Sequence, residues 1–134
     1  IEATASHFLD LHCTLTSVMD ARPMQFYTPL FEIKNGKAVR LCDDRAISID
    51  DLKNDLKKYE KVIIAGDGAR LCYDNLGIDN IILAPEDKRY QCGQGVALAA
   101  ENKEKISAAA LMPVYLRLSQ AERELKLKKK DKEN

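Results

Sequence analysis

The sequence lacks any long hydrophobic run. Apolar stretches such as residues 62–65 and 81–84 are far shorter than the about 20 residues that a membrane-spanning helix needs. A secretory signal pattern is absent as well. We therefore predict a cytoplasmic protein that does not contact a membrane. Because the sequence opens at Ile1 without a methionine, in a stretch of helical character, we expect it to be a piece of a longer chain.

Metal-binding patterns are also missing. The four cysteines are widely separated and include no Cys-x-x-Cys pair, so reduced thiols are expected. His7 and His12 are five positions apart, which on a helix turns their side chains about 140° away from each other. We predict no metal site.

Several catalytic signatures are absent. The chain has no Gly-x-Ser-x-Gly elbow, no His-Glu-x-x-His helix and no phosphate loop ending in Gly-Lys-Ser/Thr, and Gly93-Gln94-Gly95 lacks the third glycine of a dinucleotide site. We therefore predict that the chain holds no complete catalytic site and no cofactor of its own.

The sequence does contain the patterns of strands and helices expected of a single α/β domain. At 134 residues it can fold alone. Residues 1–12 have the character of a helix end, and the Thr-rich residues 13–19 favour a strand. Asn35-Gly36 suits the tight turn of a hairpin between residues 24–33 and 38–41. Pro29 removes one ladder donor, which predicts an edge strand or a bulge.

The second half alternates helices and strands. Ser48 and Asp51 form a capping-box pattern before an amphipathic helix. The predicted elements that follow are a strand at 61–65, a helix at 69–76 ended by Gly77, a strand at 81–83 and a helix at 95–102. The order is βββαβαβα, with the later strands parallel. This mixed sheet matches the ribonuclease-H-like lobe of an actin-like ATPase, a topology shared by many functions.

Two short segments could face a ligand. Glycines between a strand and a helix let backbone N–H groups approach a phosphate, although any tight turn selects glycine too. An aspartate and an arginine that follow the first strand could reach a metal-bound phosphate, or could simply pair and stabilise the turn. The candidate nucleotide-facing residues are Asp20, Arg22, Gly66, Asp67 and Gly68.

Charge balances over the whole chain, 21 against 21, but the C-terminal end is basic. A solvated charged helix is the commonest meaning of such a run, and contact with RNA or an acidic partner is the alternative. Ser119 and Glu122 form a second capping-box pattern before it. The candidate partner-facing or RNA-facing residues are Arg117, Arg123, Lys126, Lys128, Lys129 and Lys130.

Three segments carry a family likeness. Residues 19–22 (MDAR) leading into Phe26-Tyr27, residues 62–68 (VIIAGDG), and residues 113–117 (PVYLR) followed by 119–123 (SQAER) occur in this order. Together they resemble the C-terminal lobe of the TsaB family, which older usage groups with the glycoprotease or M22 peptidases. The resemblance divides the chain into an interlobe helix end (1–12), the lobe itself (13–112) and a basic tail (113–134).

The resemblance implies a non-catalytic scaffold for threonylcarbamoyladenosine modification of tRNA. The implied partners are a TsaD-type catalytic subunit and a TsaE-type ATPase, reached through an N-terminal lobe that is missing here, with indirect tRNA contact as a further option. The alternatives are the lobe of an M22-type metallopeptidase or the nucleotide-binding lobe of a small-molecule kinase.

Overall fold

A computed structural model describes residues 2–101, 103–119, 121–125 and 129. A six-stranded sheet forms its centre. The strands are β1 (Cys13–Ser17), β2 (Met19–Asp20), β3 (Gln25–Lys34), β4 (Lys37–Ser48), β5 (Val62–Ala65) and β6 (Ile81–Leu83). The helices are α1 (Glu2–Ala5), α2 (Ile49–Leu56), α3 (Ala69–Leu76), α4 (Glu86–Arg89) and α5 (Gly93–Ala100). Two 3-10 turns cover Ser6–Phe8 and Ala108–Ala110.

The sheet is mixed, as predicted. β3 pairs antiparallel with β4 on one side and with both β1 and β2 on the other. β1 pairs parallel with β5, which pairs parallel with β6. The spatial order is therefore β4, β3, β1 with β2, β5 and β6. This ribonuclease-H-like arrangement places the carboxyl ends of the parallel strands at one edge, where ligand sites of α/β sheets form.

The hairpin forms at the predicted turn but is longer than predicted. Asn35 and Gly36 both have positive φ, 53° and 72°. β4 continues past its predicted end at Leu41 to Ser48, because residues 45–48 keep pairing with residues 25–28 of β3. β3 is flanked on both sides, so the edge alternative for Pro29 is wrong. The bulge alternative is confirmed by a shift of register between Thr28 and Leu30, which spans this residue, and by a second shift between Leu30 and Phe31.

The first predicted strand is interrupted at Val18. Its N–H donates to Ala65 O at 2.7 Å, and its carbonyl accepts from Gly68 N at 3.0 Å. The backbone of this residue therefore bonds to the β5 end and the turn after it, and β1 and β2 are separate strands. Such a break depends on the neighbouring turn, so local strand propensity did not predict it.

Side chains alternate across the sheet and build one core on each face. The core beside α2 and α3 contains Val18, Phe26, Leu30, Leu52, Leu56, Val62, Ile64, Ala69, Cys72, Leu76 and Ile81. The core beside α1 contains Ala5, Phe8, Leu15, Phe31, Ile33, Ala65 and Ala84. Among the residues that the structure describes, no helix has the length and apolar character to cross a membrane.

The predicted helices are present with small changes at their ends. Ser48 Oγ accepts from Asp51 N, as the capping pattern predicts, and Gly77 ends α3 in the left-handed conformation. α5 begins at Gly93, two residues before its predicted start, because Cys92 Sγ accepts from Gly95 N and caps it. Residue 102, its predicted last residue, lies outside the described residues.

Candidate functional site

The carboxyl ends of β1 and β5 meet at the turn 66–68, which leads into α3. Val18 and Ala65 are joined there by a backbone hydrogen bond. The turn therefore lies directly against the segment 18–20. The structure thus brings Asp20 next to Gly66, Asp67 and Gly68, from which it is distant in sequence.

Two glycines of this turn are required by close backbone contact. A Cβ on Gly66 would lie 2.2 Å from Val18 O, and one on Gly68 would lie 2.7 Å from Asp20 N. Gly66 also has a φ of 104°, which side-chain-bearing residues rarely adopt. Packing of the turn against residues 18–20 therefore explains both glycines.

Three N–H groups of the turn and the start of α3 already have partners within the chain. Gly66 N donates to Arg89 O at 2.7 Å, and Ala69 N donates to Gly66 O at 3.2 Å. Gly68 N donates both to Val18 O and to Asp67 Oδ1, each at 3.0 Å. The positive end of the α3 dipole is present, but these three donors are used within the chain.

Asp20 and Arg22 pair with each other. Arg22 donates from its backbone N to Asp20 Oδ1 at 2.9 Å and from Nε to Oδ2 at 3.1 Å. The backbone hydrogen bond is the main cause that lowers the pKa of Asp20, and the guanidinium adds to it. Arg22 has a φ of 34°, so the pair holds a turn in a conformation that costs energy.

A small cavity of about 110 Å³ lies beside the turn. Ser17 is 1% exposed, and its Oγ has no hydrogen-bond partner. Asp67 lines the same space, so the cavity suits a small polar group. Its lining residues are Thr4, Ser17, Met19, Gly66, Asp67, Tyr90 and Gln91.

Besides Met19, which adjoins the predicted Asp20, four of these lining residues were not identified as site residues from the sequence: Thr4, Ser17, Tyr90 and Gln91. Ser17 ends β1, so its position at the carboxyl edge of a strand could have indicated it. The other three come from α1 and from the segment after α4, and no sequence pattern connects those segments with the turn.

Arg117 lies at this edge too. Its Nη1 donates to the carbonyls of Ala21 and Arg22. Residues 114–117 form an open groove with Met19, Tyr27 and Asp44. The basic residue nearest the lobe therefore attaches the tail to the turn after β2.

The rest of the tail begins with a helix cap, which the basic residues follow. Ser119 and Glu122 form the predicted reciprocal cap, since Glu122 N donates to Ser119 Oγ and Ser119 N donates to Glu122 Oε2. Arg123 is half-buried, with its Nε buried and unbonded, and Lys129 is exposed. Lys126, Lys128 and Lys130 lie outside the described residues.

Neither histidine is among the residues that line the cavity beside the turn. His7 contacts Cys92 at the start of α5, and His12 precedes β1. Within the described residues there is no group of three or more His, Cys, Asp or Glu side chains that could hold a metal ion.

Comparison with known proteins finds a curated relative and several related solved structures. The chain is 28% identical over 127 residues to the tRNA threonylcarbamoyladenosine biosynthesis protein TsaB of Bacillus subtilis (strain 168). The match covers 91% of this chain and 54% of the relative. No protein-family model matches the chain.

One related structure is a crystal structure of an uncharacterized protein with similarity to peptidase YEAZ from Pseudomonas aeruginosa. The TM-score is 0.63 at 14% identity, over 87% of this chain and 56% of that one. This likeness confirms the mixed α/β fold, and the curated relative confirms the resemblance to the TsaB family. The chain spans about half the length of both proteins.

Proposed function

We propose that this chain is a scaffold in the formation of threonylcarbamoyladenosine in tRNA, without catalytic chemistry of its own. The observation that carries the proposal is the similarity to TsaB along 91% of the chain. On this proposal it corresponds to the C-terminal lobe of the family and acts in the cytoplasm. Its partners are a TsaD-type catalytic subunit and a TsaE-type ATPase, reached through a second lobe.

The contacts of the turn support a scaffold over a nucleotide-using enzyme. A phosphate-binding turn needs backbone N–H groups that point at the ligand. Here Gly66, Gly68 and Ala69 direct theirs to oxygens of the chain itself. Asp20 likewise has its carboxylate engaged by Arg22. These groups stabilise a surface, and we propose that the surface faces the cleft between the two lobes.

The tail is the proposed partner-facing element. Arg117 attaches it to the carbonyls of Ala21 and Arg22, at the same edge as the turn 66–68. Basic side chains further along, such as Arg123 and Lys129, would then extend from this edge toward an acidic partner or tRNA. The domain division at residues 12 and 112 remains part of the proposal.

A chimera tests the proposal. The region of the Bacillus subtilis TsaB that matches this chain is replaced by the chain, and the chimera is combined with purified TsaD-type and TsaE-type proteins. We expect it to support tRNA modification, measured as the initial rate of threonylcarbamoyladenosine formation by mass spectrometry of nucleosides. Failure of a folded chimera to support modification would contradict the proposed role.

Asp67→Asn in the chimera separates scaffold from enzyme. Asparagine keeps an oxygen for the hydrogen bond from Gly68 N but removes the negative charge. A scaffold retains its rate within about threefold, whereas loss of a catalytic acid or base costs about a hundredfold or more. The second outcome would show catalysis by this turn. Release of new amino termini from a peptide substrate by the unmodified chain would instead favour the metallopeptidase alternative.

A further inference from the structure

Cys92 and His7 meet although 85 positions separate them in sequence. Cys92 Sγ lies 3.4 Å from His7 Nε2. The cysteine immediately precedes α5, and the histidine belongs to the 3-10 turn Ser6–Phe8 that follows α1. A thiol in contact with an imidazole is the arrangement that activates sulfur nucleophiles.

The sulfur of Cys92 is accessible and has a hydrogen-bond donor beside it. Gly95 N donates to Sγ at 3.5 Å from the first turn of α5, where the helix dipole is positive. Cys92 is exposed. It opens onto a cavity of about 170 Å³ lined by Ser6, His7, Cys92, Gln94, Gly95 and Leu98. His7 is the one lining residue there that can carry a charge besides the thiol itself.

The other three cysteines are poorly placed to react. Burial raises the pKa of the Cys72 thiol to about 12. Burial, with the nearby charge of Asp10, also raises the pKa of Cys13. Cys42 is half-buried against the core beside α2 and α3. Cys92 thus combines an exposed thiol with a basic partner, His7.

We infer that Cys92 is a site of S-thiolation by low-molecular-weight disulfides, with His7 as the acceptor of the thiol proton. Sγ attacks one sulfur of the disulfide, the bond between its two sulfurs breaks, and a new bond joins Sγ to the attacked sulfur. The other half leaves as a thiolate and takes up a proton, so the disulfide is reduced as Cys92 is oxidised. This site does not depend on the proposed function.

The probe is hydroxyethyl disulfide, which is uncharged. The chain is incubated with it across the neutral pH range and quenched with acid, and each cysteine is quantified by peptide mass spectrometry. We expect Cys92 to react about tenfold faster than Cys42. His7→Gln should slow Cys92 and move its rate curve to higher pH, while His12→Gln, the matched control, should leave both unchanged.

Two results would overturn the inference. One is a rate at Cys92 no greater than that at Cys42 in the unsubstituted chain, a comparison that requires no variant to fold. The other is a His7→Gln chain with an unchanged circular dichroism spectrum and an unchanged rate curve at Cys92. Cys92→Ser, which retains a good helix cap, identifies the labelled peptide.

Discussion

Single residues at the turn 66–68 decide how β1, β2 and α3 fit together. Gly66 combines a positive φ with crowding by neighbouring backbone, because a Cβ added here would lie 2.2 Å from Val18 O. Gly36 shares the positive φ, but a Cβ added there would meet no atom within 4 Å. Alanine substitutions at Gly66 and Gly36 therefore separate the energetic cost of an unusual φ from that of a steric clash.

Gly66→Ala should lower the free energy of unfolding by about 3 kcal/mol, because the new methyl group meets Val18 O as well as an unfavourable φ. Gly36→Ala should cost about 1 kcal/mol, from φ alone. Urea unfolding followed by circular dichroism measures both. Equal losses at the two positions would show that the contact with Val18 relaxes without cost.

Helix α2 illustrates how an element takes its boundaries from local chemistry. Ser48 is the last residue of β4 and the cap of α2, so one residue ends the strand and starts the helix. Its Oγ accepts from Asp51 N at 3.2 Å and donates to Asp51 Oδ2 at 2.7 Å. Leu52 and Leu56 of this helix are then buried in the core.

Ser48→Ala removes the acceptor for Asp51 N and should lower the free energy of unfolding by about 1 kcal/mol. Ser48→Thr keeps a hydroxyl oxygen and should recover most of that loss. Urea unfolding at neutral pH compares the three chains. If alanine and threonine destabilise the chain equally, the capping bond contributes nothing and β4 pairing is the affected feature.

Across the molecule, one carboxylate joins three segments that are distant in sequence. Glu2 of α1 lies 3.2 Å from Arg40 Nη2 of β4 and 2.9 Å from Lys103 Nζ, beyond α5. Burial alone would raise the pKa of Glu2, but hydrogen bonds and charges from Lys103 and Arg40 outweigh it and lower the pKa. The side chain is partly exposed, so solvent screens the pairs.

Because folding lowers the pKa of Glu2, its charge stabilises the chain above the unfolded value of about 4.3. That contribution disappears as the pH falls through the lower folded value. We expect Glu2→Gln to cost up to about 1 kcal/mol at pH 7 and close to nothing in strong acid. Urea unfolding at both pH values measures this, with exposed Glu104→Gln as control. A deficit that persists in strong acid would show that packing, not charge, is lost.

The sequence alone predicted the features that depend on neighbouring residues. The Asn35-Gly36 turn, the Ser48 cap and the end of α3 at Gly77 follow from backbone conformations and hydrogen bonds within a few positions. The order of strands and helices along the chain also predicted the mixed sheet, since helical crossovers between the later strands favour pairing them in parallel.

Tertiary structure decided the features that depend on contacts between distant segments. The break at Val18 and the full length of β4 arise from pairing with partners that local propensity does not identify. The cavity beside Ser17 and the contact of Cys92 with His7 likewise require α1 and the turn after it to pack against the segments that follow β6. Local sequence does not determine such contacts, because the free energy that stabilises them comes from burial of both hydrophobic cores of the sheet.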